Sequence, residues 1–218
     1  MDDERAILDE QIAYYRARAD EYDATSPAGH EPFAEATEQV RAALADFAPR
    51  GRVLEIAAGT GQWTAQLADR ATELVVTDSA PEMLELNRSR TGERPNVRYE
   101  VADAFALPPT HAFDTVFFGF FLSHVPPGRF AAFWGVLEGL IAPEGRVFFV
   151  DEADHGLWEE EWIDRERGLI HRTLVDGTLH RAVKVLWRPD DLERRLRRLG
   201  WVASIRVEMP FYWGTAHR

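Results

Sequence analysis

The chain has 218 residues, 25 Lys plus Arg against 37 Asp plus Glu, a formal net charge of −12 and no cysteine. That length suits one domain able to bury a real core. The composition excludes a disulfide framework, a thiolate metal site and a cysteine nucleophile; the charge opposes a nucleic-acid partner at long range, although a local pocket can still reverse the field for a small anion.

Residues 4–24 read as helical and carry Tyr14, Tyr15 and Tyr22. Tyr14, Arg18 and Tyr22 stand at i, i+4 and i+8 on one helix face, with Tyr15 on an adjoining one. The acidic start holds no apolar signal core. The longest apolar run, Thr115 to Val125, falls well short of the ~20 residues of a membrane span. A cytoplasmic address with no membrane partner is expected.

From residue 51 onward strand and helix patterns alternate. Arg52 to Ala57 reads as a buried strand, followed by Gly59 and Gly61, then a helix from Trp63 to Ala71. A second strand, Glu73 to Thr77, precedes a helix from Pro81 to Arg90. Val97 to Val101 is a third strand and Phe113 to Phe118 a fourth, with a crossover helix from Arg129 to Ile141. Gly145 to Val150 is a fifth. The strands are apolar runs, as in a parallel sheet covered on both faces. Residues 152–188 predict a charged helical stretch and then two extended runs around Asp176-Gly177. Pro189 opens a last helix with Asp190 and Asp191 in its first turn, and residues 202–217 read as a closing strand pair.

Ligands of open α/β sheets sit at the carboxyl ends of the strands. After the first strand comes Glu55-Ile56-Ala57-Ala58-Gly59-Thr60-Gly61. Its glycines permit a tight turn and close backbone approach. Position 64 is Thr, so the third glycine of the dinucleotide fingerprint is missing. Asp78 ends the second strand, where an acid meets ribose hydroxyls; it equally suits a cap ahead of Pro81. Asp103-Ala104-Phe105 follows the third strand: a carboxylate for an exocyclic amine and an aromatic for a purine face, or a solvated loop acid and a core ring.

The segments VLEIAAGTG, VVTDSAPEML, VADAFALP and FDTVFFGFFLSHVP resemble, in order, the core motifs of class I S-adenosylmethionine-dependent methyltransferases. The resemblance implies a Rossmann-like, mostly parallel seven-stranded sheet with helices on both faces. It implies one methyltransferase domain over 1–218, with an N-terminal helical lid at 1–40, a cofactor-binding core at 50–150 and a substrate-side insertion at 152–188 carrying a hairpin before the last helix. S-adenosylmethionine is the implied cofactor, S-adenosylhomocysteine its product, and no metal is called for. Ala57, Gly59 and Gly61 would approach the methionine part and Asp78 the ribose. Ser79, Met83, Asp103, Ala104 and Phe105 would surround the adenine, and Gly119 and Phe120 the sulfonium. Family members often carry Gly where Ala57 stands. Arg18 would pair the cofactor carboxylate and Tyr22 would border the transfer channel; the alternative is an aromatic stripe packed on the core.

His124, in Leu122-Ser123-His124-Val125-Pro126, suits either a proton acceptor near neutral pH or a residue that shapes the site. Asp176-Gly177 signals a hairpin. A two-residue loop would pair Arg172 with Arg181. A three-residue loop, Val175 to Gly177 with Gly177 left-handed, pairs Arg172 with His180, sets Lys184 on the same face and segregates polar from apolar better. One basic surface of Arg172, His180 and Lys184 is therefore expected, the alternative being a solvated face. The segment is similar, with most of the chain, to the phosphonate O-methyltransferase type of dehydrophos biosynthesis. There the matching Arg and Lys serve an anionic substrate. That type has a further tyrosine where this chain runs Ser26 to His30, so His30 is a candidate substitute beside Tyr14 on the substrate side. The expected activity is O-methylation of a small phosphonate or carboxylate by in-line transfer, in secondary metabolism. An N-, O- or C-methyltransferase of a neutral or amine natural product with His124 as base stays open, as does a non-catalytic binding protein.

Overall fold

The structure is a computed structural model that describes residues 2–25, 32–157 and 159–218. Helix α1 (Asp2–Arg18) runs through a 3₁₀ turn (Ala19–Glu21) into the short α2 (Tyr22–Thr25), and α3 (Phe33–Phe47) leads to the sheet. The alternation then runs β1 (Arg52–Ile56), α4 (Thr64–Ala68), β2 (Glu73–Asp78), α5 (Pro81–Thr91), β3 (Val97–Val101), β4 (Phe113–Gly119), α6 (Phe130–Leu140) and β5 (Ile141–Glu152). After an insertion holding β6 (Trp162–Asp164), β7 (Leu169–Thr173) and β8 (Leu179–Val183) come α7 (Pro189–Arg198), β9 (Val202–Glu208) and β10 (Phe211–His217).

The seven-stranded order is β3-β2-β1-β4-β5-β10-β9. The first five strands pair in parallel, and β10 enters antiparallel between β5 and β9. Successive side chains of a strand point to opposite faces, and both faces here are dry. Leu54, Ile56, Val116 and Phe118 pack with Phe133, Trp134 and Leu137 of α6 and Leu192 and Leu196 of α7. Val53, Val76 and Phe117 pack on the other face with Val40 and Leu44 of α3 and Leu67 of α4. Each such side chain contributes roughly 1.5–3 kcal/mol by leaving water. Covering both faces leaves the strand ends as the place for a ligand.

The insertion departs from the expectation at one point. The charged stretch expected to be helical contains a short strand instead, β6 (Trp162–Asp164), which joins β7 (Leu169–Thr173) and β8 (Leu179–Val183) in a second, antiparallel sheet. The cause is a turn. The Asp164 carboxylate accepts the Arg167 N–H at 3.0 Å, and Gly168 adopts φ +65° with Lys184 and Val185 directly behind it, where a Cβ would collide. Between β7 and β8 the three-residue loop holds: Leu174 and Thr178 flank it, Gly177 has φ +87°, and Arg172 pairs with His180.

Candidate functional site

A cavity of about 510 Å³ opens at the carboxyl ends of β1, β2 and β4. Of the residues singled out by sequence, Tyr22, Ala57, Gly59, Asp78, Ser79, Met83, Ala104, Gly119, Phe120 and His124 line it. Gly59 has φ +54°, and a Cβ built there would meet nothing within 4 Å, so the backbone faces open space. Ala57 and Phe120 also adopt left-handed φ, at +52° and +55°. That conformation costs a non-glycine residue roughly 1–2 kcal/mol, and such strain concentrates where a ligand is gripped.

Asp78 fixes this loop. Its Oδ2 accepts the Gly59 N–H and its Oδ1 the Ala80 N–H, each at 2.9 Å. It therefore holds the residue that leads into α5 and lines the cavity at once. Burial raises its carboxyl above the ordinary value, against the lowering effect of the Ala80, Gly59 and Ser79 amides. Such a carboxylate retains acceptor capacity for a vicinal diol. Trp63, absent from the sequence-level candidates, also lines the cavity, and its buried indole N–H has no hydrogen-bond partner.

Four expected cofactor positions lie outside the lining, as do Tyr14, Arg172, His180 and Lys184 of the expected substrate side. Gly61 backs onto Asn87, so that a Cβ there would stand 2.7 Å from the amide. Asp103 accepts the Phe105 N–H at 2.9 Å and holds its own turn. Phe105 is half-buried: its ring packs on Phe121 and Phe133 and lies under the Arg129 guanidinium. Arg18 lies over the rings of Tyr14 and Tyr22, 5.7 and 4.7 Å from their centroids. The Tyr14–Arg18–Tyr22 stack thus survives although α1 ends at Arg18. His30 falls outside the described residues.

Beside the cavity, through Tyr15 and His124, lies the hairpin. Val183 O accepts at 2.7 Å from His124 Nδ1, which must carry its proton, so Nε2 is the acceptor of the Tyr15 hydroxyl at 2.9 Å. Burial, helped by the charge of Lys184, pushes the imidazole down to about 3, despite the opposing Val183 carbonyl. His124 is therefore a neutral imidazole with both nitrogens engaged. Tyr15 was legible only as an aromatic on the adjoining face.

The expected basic surface is compensated. Arg172 makes a two-point contact with Glu160 at 2.5 and 3.0 Å. Burial disfavours its charge, but Glu160 more than restores it, and the guanidinium stands above its ordinary value. Lys184 meets Glu152 at 2.5 Å and is buried. His180 packs against Tyr14 with Nε2 buried and lacking a hydrogen-bond partner. Glu152 and Glu160 gave no signal in sequence because each is brought in by chain remote from the hairpin turn.

The N-terminal segment joins the two regions. Glu10 accepts the Arg181 N–H at 2.7 Å, and Gln11 accepts that of Val183 at 2.9 Å. On the other side Arg16 grips Glu82 of α5 with two nitrogens, and Asp23 holds the Thr60 hydroxyl and Arg90. Among the described residues no three His, Cys, Asp or Glu are grouped to hold a metal. Nor is any helix among them long and apolar enough to cross a membrane.

Residues 53–145 match the family model described as a methyltransferase domain. Two solved structures of DhpI share 38% identity with this chain. The complex with SAM and HEP has a TM-score of 0.84 and covers 97% of this chain and 98% of that one. The complex with SAH has a TM-score of 0.82, with 97% and 96% covered. A demethylmenaquinone methyltransferase of Deinococcus radiodurans is 38% identical over 120 residues, 51% of this chain and 48% of that protein, so the chain spans about half the length of that relative.

Proposed function

The chain belongs to the class I S-adenosylmethionine-dependent methyltransferases, and from that membership we propose that it methylates an oxygen of a small anionic acceptor, a phosphonate or a carboxylate, in secondary metabolism. The observation that carries this reading is the two-point grip of Arg172 on a carboxylate. Arg presents a fork matched to an oxyanion, and Lys184 beside it adds a point charge. Likeness to DhpI, seen with SAM and HEP bound at 38% identity, supports it.

The cavity fits the cofactor by its own features: open space above Gly59, the Asp78 carboxylate at the end of β2, and an unpartnered Trp63 N–H in its wall. Ala57 and Gly59 would lie against the methionine part, Asp78 would take the ribose hydroxyls, and Ser79, Met83 and Ala104 would border the base. When bound, the cofactor supplies a methyl carbon already activated by its sulfonium. What remains for the protein is proximity and alignment. Arg172 and Lys184 would orient the oxyanion, and Gly119 and Phe120 would border the transfer path. Helices α1 and α2 would act as the lid, with Tyr15 and Tyr22 excluding water. An oxyanion needs no base. That agrees with His124, whose nitrogens are both engaged and whose basicity burial suppresses; the same facts weigh against a neutral or amine acceptor deprotonated by His124.

The test is labelled methyl transfer to a panel of small phosphonates, carboxylates and amines. Transfer to oxyanions, with KM raised at least tenfold by Arg172→Ala or Lys184→Ala and cofactor affinity unchanged, is expected. Transfer confined to amines, or normal turnover in both variants, overturns the reading.

A further inference from the structure

Behind the cofactor loop lies a buried polar cluster whose side chains line neither the cavity nor the acceptor region, although it bonds the loop from outside. Its centre is Asn87, in the middle of α5 and fully buried. Its Nδ2 donates to Gly59 O at 3.3 Å and to Thr64 Oγ1 at 2.8 Å. Its Oδ1 accepts from the hydroxyls of Thr91 at 3.1 Å and Tyr99 at 3.3 Å. A primary amide offers two donors and two acceptor sites, so all four are used. The Gly59 carbonyl can only accept, which fixes the orientation of the amide. Gly61 stands against the same side chain with no room for a Cβ.

Asn87 thereby completes what Asp78 begins. Asp78 holds the N–H of Gly59 and Asn87 holds its carbonyl. These atoms belong to the two peptide units flanking Gly59, so both are pinned from outside the loop. Nothing in the pattern of α5 requires an amide here. An apolar residue would fill the same space and would leave the Gly59 carbonyl and the Thr64 hydroxyl without this donor.

We propose that Asn87 is a positioning residue for cofactor binding: it locks the peptide after Gly59 in its left-handed turn, so that the loop is set before the cofactor arrives. A preset loop spares the ligand the ordering cost that binding otherwise carries. The effect is on cofactor affinity, exerted through Gly59, and does not depend on the identity of the acceptor.

The test is calorimetric titration of S-adenosylhomocysteine into the full chain, with circular dichroism and thermal unfolding measured on the same samples. Asn87→Leu keeps the branched shape and removes both donors; its dissociation constant should rise roughly tenfold or more while the folded spectrum is kept. Thr91→Val removes one donor to Oδ1 without touching the loop; it should lower the unfolding temperature yet bind within twofold of the parent. Should Asn87→Leu not fold, Asn87→Ser takes its place under the same thresholds. Binding within twofold of the parent in the folded Asn87 variant overturns the proposal. So does equal weakening in Thr91→Val, which would mark general loosening of the helix.

Discussion

Replacing Glu160 by Gln tests whether Arg172 is held ready for an anion. In the structure Glu160 takes two guanidinium N–H groups at 2.5 and 3.0 Å, and its side chain is 5% exposed against 28% for Arg172. An oxyanion claiming the same two donors must first displace this carboxylate. Charge-assisted hydrogen bonds net about 1.5–3 kcal/mol each. The displaced carboxylate regains water, and the substituted amide keeps one weaker acceptor. A difference of about 1–2 kcal/mol between parent and variant follows, which corresponds to roughly 5- to 30-fold tighter anion binding. The assay is calorimetric titration of methylphosphonate into protein saturated with S-adenosylhomocysteine, at fixed ionic strength, for the parent, Glu160→Gln and Glu160→Gln with Arg172→Met. Tighter binding in the single variant, abolished in the double, is expected. Unchanged or weaker binding in Glu160→Gln refutes the reasoning, since the anion would then use another edge of Arg172 or another site.

Asp78→Ala should weaken S-adenosylhomocysteine binding at least tenfold by calorimetry, because it removes a lining carboxylate and frees the Gly59 and Ala80 amides together. Burial pushes the Glu55 carboxyl up to about 8, although the Thr64 hydroxyl lies near enough to favour the anion. An unfolded Glu releases its proton near its ordinary value while the folded one keeps it, so stability falls as pH rises from there to about 8, by at most about 1.4 kcal/mol per pH unit. Urea unfolding of Glu55→Gln at pH 6.5 and 8 should show that decline removed, and an identical slope in both proteins would contradict it. His124 carries the opposite sign: depressed to about 3, it contributes stability present above the unfolded value near 6.5 and lost on acidification toward 3. His124→Asn should flatten that acid limb and, if the acceptor is an oxyanion, leave the pH profile of kcat between 6 and 8 unaltered in shape. Tyr15→Phe leaves His124 Nε2 buried without its donor and should cost about 1–3 kcal/mol in denaturant unfolding.

The parallel sheet was legible because its strands are largely apolar on both faces, as in Val116 to Phe118. The hairpin register was legible from the parity of Arg172, His180 and Lys184 about Gly177. The strand β6 was not, since three residues give no periodicity and the deciding feature is a turn closed by Asp164 and Gly168. The cavity followed from glycines and acids at strand ends, where the carrier is backbone. Phe105 stayed open in sequence because its alternatives, a base or a ring neighbour, have the same chemistry; the neighbours Phe121 and Phe133 become visible only in the fold. The carboxylates on Arg172 and Lys184 and the Asn87 amide were invisible for another reason. Each acts through tertiary pairing, and in sequence an Asn in mid-helix or a Glu in a charged loop looks like solvated surface.

The bonds made by the first 25 residues have a kinetic consequence. One continuous segment is fastened to the hairpin by Glu10 and Gln11, and to the glycine loop and α5 by Asp23 and Arg16. On the proposed lid role of this segment, exchange of cofactor and exchange of acceptor would share a single gate. Steady-state analysis should then show a sequential mechanism, with both ligands bound before either product leaves.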